Sequence, residues 1–332
     1  MLKQTASLAA VVVGASLLLL PAAAHAQDQF EYGPAKGTLL IVGGGNLREG
    51  GIPEKFIELA GGTDAKFVIV PTAGGNKNAD GTIKVYDEES VLRPWKARGL
   101  THVRMLHTAD PGVANTAEFV KPLLDANAVW FEGGRQWNIV DSYANTRTYQ
   151  EFHRLLERGG VIGGSSAGAS IQGDFLVRGA VQGSQLIVAP EPEHHQGFAF
   201  LRHSAIDQHV NTRNRWDDIV PLIKDKPELL GIGLSENTAI IVKGDRLEVI
   251  GAWKVAVHDN TRGYQPWEKP YFVLSAGDVF NMKTRRVEKL GIGVAAPDRD
   301  SPGNGRRTRS TAPQTPAARN ADATAGTTAG SR

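Results

Sequence analysis

The chain contains no cysteine. That excludes a disulfide framework, a cysteine nucleophile and thiolate metal sites. Net charge is almost absent too: 37 Lys and Arg against 35 Asp and Glu leave +2. A balance that small provides no bulk electrostatic drive toward nucleic acid. Beyond residue 24, no stretch is apolar for the ~20 residues that a membrane-spanning helix requires. No internal repeat is visible.

What is present begins with a leader. After Met1-Leu2-Lys3 the chain runs apolar from Ala6 to Ala24, around Leu17-Leu-Leu-Leu20, and ends in Ala24-His25-Ala26 before Gln27. A basic start, an apolar middle and small residues at the cut are the parts of a secretory signal peptide. An uncleaved anchor is the rival, but Pro21 and the A-x-A site favour cleavage. Residues 1–26 are therefore expected to be removed, and the product to be secreted or, in a bacterium, periplasmic, with no further membrane association. Residues 27–36 read as an N-terminal extension. At the other end, residues 297–332 are rich in Pro, Ala, Thr, Gly and Arg and almost lack large apolar side chains. Such a tail cannot offset its ordering entropy by burial and is expected to be disordered. Between them, residues 37–296 are long enough for one large α/β domain.

That region alternates short β-rich runs with helix-like stretches. The runs are Thr38–Val42, Lys66–Pro71, His102–Leu106, Ala128–Phe131 and Gly160–Ile162; the stretches are Ile52–Ala60, Glu88–Arg98, Thr116–Ala126, Trp137–Tyr143 and Tyr149–Arg158. The alternation predicts a mainly parallel sheet with helices on both faces. Later, Thr238–Lys243, Arg246–Ile250 and Trp253–Val257 predict a small antiparallel meander turned by Lys243-Gly244-Asp245-Arg246. Ligands of open α/β sheets sit at the carboxyl ends of the strands. Glycine-rich loops follow three of the runs there, at 43–46, 74–76 and 133–136. The first does not complete G-x-G-x-x-G and has no acidic partner at the right distance, so a dinucleotide site is disfavoured.

The most specific stretch is Gly160-Val161-Ile162-Gly163 leading into Gly164-Ser165-Ser166-Ala167-Gly168. G-x-S-x-G between a strand and a helix forms a sharp turn that exposes one serine hydroxyl. With 38 glycines in the chain the pattern can arise by chance, but its strand–turn–helix setting favours chemistry. Ser166 is the candidate nucleophile. A serine needs a base, and eight of the nine histidines lie beyond the leader. His209 is singled out because Asp207, Gln208, Arg213 and Arg215 crowd around it after an apolar run. His194-His195 beside Glu193 reads as an exposed loop, since adjacent residues rarely converge on one ion. No metal and no cofactor are expected.

Together these pieces resemble the cyanophycinase family, serine peptidases related to dipeptidase E. The matching segments are Gly-Gly-Gly-Asn at 43–46, Phe-Glu-Gly-Gly-Arg-Gln at 131–136, Gly-Gly-Ser-Ser-Ala-Gly-Ala at 163–169, Ile-Asp-Gln-His at 206–209 with Arg213 and Arg215, and Gly-Ile-Gly-Leu-Ser-Glu-Asn-Thr-Ala at 231–239. The resemblance implies a class I glutamine-amidotransferase-like α/β fold, although the missing cysteine argues against amidotransferase activity. It implies Ser166 as nucleophile and His209 as general base, with oxyanion donors at Ala167 and in the Gly133-Gly134 turn. Gln136, Asp207, Gln208, Arg213 and Arg215 would line the substrate site. It also implies a triad acid between serine and histidine, where only Asp174, Glu191 and Glu193 are near; Glu193 is preferred. The implied substrate is a peptide with β-aspartyl linkages, such as cyanophycin, a polyaspartate with an arginine on each side chain. Arg213 and Arg215 would hold its carboxylates, with surface ion pairing as their plainer role, and Asp207 or Glu132 would meet its guanidinium groups. An esterase on the same elbow and a secreted binding protein with a degenerate triad are the rival readings. Oligomeric state stays open, a homodimer among the options.

Overall fold

Three strands made wholly of buried residues form the centre of the molecule: Thr38–Val42 (β1), Ala128–Phe131 (β4) and Val161–Ser165 (β5). Continuous apolar runs of this kind require cover on both faces. Lys66–Val70 (β2) and His102–Met105 (β3) extend the same sheet in parallel, in the order β1-β5-β4-β2-β3. The computed structural model describes residues 31–291 except 48. The expected leader, part of the N-terminal extension and the expected tail lie outside the described residues.

Side-chain alternation along these strands sorts them onto two faces. Leu40, Val42, Phe67, Ile69 and Trp130 pack on one side with Ile52, Phe56 and Ile57 of Ile52–Ala60 (α1) and with Leu92 and Trp95 of Glu88–Lys96 (α2). Leu39, Ile41, Val68, Val70, Phe131 and Ile162 pack on the other side. Their partners there include Trp137–Tyr143 (α5) and Arg147–Glu157 (α6). Helix ends follow local chemistry: Asp87 accepts from Ser90 N–H at 3.1 Å to start α2, and Thr146 accepts from Tyr149 N–H at 3.3 Å to start α6.

Two sequence expectations change. The helix expected at Thr116–Ala126 is only Lys121–Leu124 (α4), preceded by Pro111–Ala114 (α3). Pro122 lacks the amide that a helix interior needs, so it begins a helix rather than continuing one. The expected meander is divided between two sheets. Thr238–Lys243 (β8) and Arg246–Gly251 (β9) form a hairpin that joins the large sheet through β1, followed by Val279–Asn281 (β12) and Arg286–Lys289 (β13). Val255–His258 (β10) leaves it. It pairs with Leu230–Leu234 (β7) and Phe272–Leu274 (β11) in a second sheet whose remaining member is Ser204–Gln208 (β6). The reason is burial. β9 alternates exposed Arg246 and Glu248 with buried Leu247 and Val249, whereas all four residues of β10 are buried and need cover on both faces.

Ile206, Leu230, Ile232, Leu234, Val255 and Val257 of the second sheet share the core beneath β1 and β5. This packing brings the carboxyl ends of β6 and β7 beside the carboxyl end of β5. Ala167–Ser170 (α7) follows β5 there, and Val220–Asp225 (α8) packs on the outer side of β7.

Candidate functional site

Ser166 occupies the turn from β5 into α7 with φ 58° and ψ −112°, a backbone region that costs a non-glycine residue energy and persists only when its surroundings enforce it. Its N–H donates to Val42 O at 3.0 Å, and its carbonyl accepts from the amides of Ala169 and Ser170 at 2.9 and 3.1 Å. Gly164 and Gly168 permit the close crossing: a Cβ on Gly164 would lie 2.3 Å from Gly168 O, and one on Gly168 would lie 2.1 Å from Phe131 O. The Ala167 amide, first in α7, has no intrahelical acceptor and opens beside the serine. Gly133 and Gly134 follow β4, and a Cβ on Gly133 would stand 3.4 Å from Ser166 Cβ.

His209 directly follows β6, also at positive φ (57°). Its N–H donates to Gly43 O at 2.9 Å. Its ring lies against the backbone of Gly44, where a Cβ would fall 2.2 Å from Cε1. His209 Nε2 is 2.8 Å from Ser166 Oγ, and His209 Nδ1 is 2.5 Å from Glu236 Oε1. A carboxylate only accepts, so the Nδ1 proton points to Glu236 and the free Nε2 lone pair faces the serine hydroxyl. Burial lowers the His209 pKa below its ordinary value; Arg213 and then Arg215 add to this, and the Glu236 hydrogen bond and charge oppose it. The imidazole is thus neutral and able to accept a proton at pH 7.

Glu236 sits in the turn between β7 and β8. Its N–H donates to Asn211 Oδ1 at 2.9 Å, and Thr212 Oγ1 donates to its Oε1 at 3.0 Å. The next amide, Asn237 N–H, donates to Gly44 O at 2.9 Å, tying this turn to the loop that backs the His209 ring. The acid facing the histidine is therefore Glu236, and the choice of Glu193 is corrected. Glu193 is exposed on the short 3-10 turn Pro192–His194. Asp174 accepts from His203 N–H at 3.0 Å. Neither these two nor Glu191 bonds His209. The family resemblance places the acid between serine and histidine, whereas the second sheet delivers it after the histidine. The available signal was Ser235-Glu236-Asn237, a carboxylate in a turn at the carboxyl end of a strand.

Four of the five expected substrate contacts are buried: Asp207, Gln136, Gln208 and Arg215. Asp207 is 0% exposed and takes a paired contact from Arg178, Nε to Oδ1 at 2.7 Å and Nη2 to Oδ2 at 2.8 Å. Arg178 Nη2 also reaches Asp218 Oδ2 at 2.6 Å. Asp207 thus lacks a free edge for a substrate guanidinium; its environment is an ion-pair cluster that anchors the end of β6. Gln136 is 2% exposed and donates from Nε2 to Val177 O at 2.6 Å, which joins the start of α5 to that loop. Arg215 is buried as well, with Nη1 3.4 Å from both Gln208 O and Gln208 Oε1. Arg213 is exposed, has no ion-pair partner among the described residues, and lies near enough to His209 to depress its pKa. His194 pairs with Asp141 at 2.8 Å. Among the described residues no group of three His, Cys, Asp or Glu is placed to hold a metal ion.

Two measurable consequences follow from the His209 environment. Because its pKa is lowered, the acid limb of kcat/KM should fall below pH 6.5, the ordinary imidazole value. Arg213→Gln removes a cation that disfavours the protonated ring, so it should move that limb upward. A pH–rate profile of both proteins checks the sign. Gly44→Ala inserts a methyl into the ring position at a backbone φ of +111°. It should reduce kcat by about 100-fold or more, the order expected for a displacement near 1 Å, with an unchanged far-ultraviolet circular dichroism spectrum.

The peptidase family S51 model matches residues 38–250, which contain every residue of this cluster. A cyanophycinase of Geminocystis herdmanii is 26% identical over 270 residues, covering 76% of this chain and 96% of that protein. A cyanophycinase of Synechococcus elongatus is 27% identical over 273 residues, covering 76% and 81%. The crystal structure of a peptidase from an acI-B1 Actinobacterium aligns with a TM-score of 0.54 over 75% of this chain and 98% of that one; at 24% identity it speaks for the fold alone. The chain is a serine-type peptidase and belongs to peptidase family S51.

Proposed function

We propose that this protein is an exported peptidase that hydrolyses β-aspartyl linkages, in cyanophycin or related isoaspartyl peptides, through an acyl-enzyme on Ser166. The observation that carries this reading is the continuous chain from Ser166 Oγ through His209 to Glu236. In the first half-reaction the Ser166 oxygen attacks the scissile carbonyl as its proton passes to His209 Nε2. Glu236 stabilises the resulting imidazolium and keeps the ring oriented. The amides of Ala167 and Gly134 take the developing oxyanion. His209 then gives the proton to the leaving amine, and water repeats the sequence to release the acyl group.

The substrate class rests on the cyanophycinase relatives and on exposed Arg213, a cation at the mouth of the site that suits a carboxylate-bearing chain. The parallel order β1-β5-β4-β2-β3 fits a class I glutamine-amidotransferase-like architecture. Export rests on the leader ending in Ala24-His25-Ala26, and N-terminal sequencing of the mature protein should begin at Gln27. The activity is tested by incubating purified protein with cyanophycin granules and with isoaspartyl dipeptides and identifying the products by mass spectrometry. Release of β-Asp-Arg is the expected result. Cleavage of isoaspartyl dipeptides without attack on cyanophycin would retain the reaction and remove the polymer as substrate. Inertness toward both would overturn the reading.

A further inference from the structure

The Gly133-Gly134 turn leans on a second turn from the neighbouring strand. Val70 of β2 pairs with Phe131 of β4, so the chain leaves both strands side by side. Beyond β2 it forms the 3-10 turn Thr72–Gly74. We propose that Thr72 is a positioning residue for catalysis: its buried hydroxyl holds this turn, and the turn aims the Gly134 amide at the oxyanion. This role rests on the peptidase reading of Ser166 and deepens it.

The two turns touch backbone to backbone. Arg135 N–H donates to Ala73 O at 2.7 Å, which fixes the plane of the peptide after Gly134. A Cβ on Gly134 would lie 2.0 Å from Ala73 O and 2.7 Å from Gly74 N, and φ there is +144°. The turns are therefore in direct contact, and a shift of residues 72–74 must carry Gly134 with it. Gly133, one residue earlier, faces the nucleophile: a Cβ on it would lie 3.8 Å from Ser166 Oγ. Displacements near 1 Å at such a place cost about 100-fold in rate.

The supporting turn is itself held at every carbonyl from Pro71 to Gly75. Gly74 N–H donates to Pro71 O at 2.8 Å and Gly75 N–H to Thr72 O at 3.1 Å, while Ala73 O holds Arg135. Lys84 Nζ donates to Gly74 O at 2.9 Å and Tyr86 O–H to Gly75 O at 3.0 Å. Thr72 anchors the turn to the core. It is 0% exposed, and its Oγ1 lies 2.7 Å from Tyr143 Oη and 2.9 Å from His107 Nδ1. Val70, Ala73 and Tyr143 share the apolar cluster on this face of the sheet. Burial, and then the Lys84 charge, lower the His107 pKa, and a hydrogen bond to the Lys84 backbone opposes them. A neutral ring that donates to that carbonyl keeps a lone pair on Nδ1 for the Thr72 O–H, and Thr72 Oγ1 accepts from Tyr143 O–H. One hydroxyl thus joins the ends of β2, β3 and α5. Valine would fill the same space and break both bonds, leaving two buried polar partners unsatisfied.

The rate of fluorophosphonate labelling at Ser166 tests this without a peptide substrate. Formation of the Oγ–P bond expels fluoride, His209 takes the hydroxyl proton, and the phosphoryl oxygen occupies the place of the oxyanion. Thr72→Val should slow labelling at least about tenfold, short of the ~10²–10³ lost with a whole oxyanion donor, and Thr72→Ser, which keeps the hydroxyl, should stay within about threefold of wild type. The acid limb of the labelling rate should not move, because His209 and its partners are untouched. Wild-type speed in folded Thr72→Val, an equal loss in Thr72→Ser, or a shifted acid limb would overturn the proposal. If Thr72→Val does not fold, Tyr143→Phe takes its place, since it removes a bond to Thr72 without altering the turn. The same slowing is then expected, and wild-type speed again overturns the proposal. On an isoaspartyl dipeptide the loss should appear in kcat with KM within about threefold, the mark of an interaction made only in the transition state; a loss carried by KM would overturn it. The expected labelling pattern in a protein inert toward isoaspartyl peptides would support the role of Thr72 and remove only the substrate. A Ser166 left unlabelled in folded wild-type protein would overturn both.

Discussion

Glu236→Gln should lower kcat by about 10³–10⁴-fold, the order seen when the acid of a serine triad becomes an amide. An amide can present its N–H to His209 Nδ1 and stabilise the tautomer whose lone pair faces the wrong way. It also removes the charge that supports the imidazolium. KM should change little, because Glu236 faces Nδ1, the ring edge turned away from Ser166. Glu193→Gln, on an exposed turn away from His209, should leave kcat within about twofold of wild type; the contrast separates loss of the relay from a general effect of removing a carboxylate. Steady-state kinetics on one isoaspartyl dipeptide measures both. A comparable defect in both variants would contradict the assignment.

Asp207→Asn should unfold the protein more easily by about 3–5 kcal/mol, the usual cost of removing one partner of a buried ion pair. The Arg178 side chain is 3% exposed and that of Asp207 0%, so the guanidinium cannot turn to water when its partner is neutralised. Asp218, at 38% exposure, is the outer member of the cluster, and Asp218→Asn should cost only about 0–1 kcal/mol because solvent screens it. Urea unfolding gives both values. Arg178→Met/Asp207→Leu should recover much of the stability, since an apolar pair can replace a buried ion pair without leaving an unpaired charge. Activity should recover less: Asp207 Oδ1 also accepts the Gln208 amide at 2.9 Å, one residue before His209, and the strained φ at 209 depends on that anchoring.

Much of the parallel sheet was legible because its strands are continuous apolar runs punctuated by glycine. The runs at Thr38–Val42 and Ala128–Phe131 match β1 and β4 residue for residue. The serine turn was legible because Gly164 and Gly168 are demanded by backbone crossings that any side chain would block. What could not be read was longer in range. Nothing local distinguishes Asp207, sealed against an arginine 29 residues earlier, from a carboxylate facing the cleft. Glu236 lies 27 residues beyond His209 and meets it only because β7 runs beside β6 in a second sheet. That sheet was hidden because β10 looked like the next strand of a hairpin, when its burial on both faces assigned it elsewhere. Positions in a strand follow from its own pattern; which strand ends meet follows from the packing of distant cores.

Catalysis as described depends on the activation of Ser166 by His209. The most direct measurement is peptide mapping by mass spectrometry after reaction of the folded protein with a fluorophosphonate. A single adduct on Ser166 is expected, formed at least 100-fold more slowly in His209→Ala protein that keeps its fold. An unlabelled Ser166 in the folded wild-type protein, or labelling at the same rate without the imidazole, would contradict it.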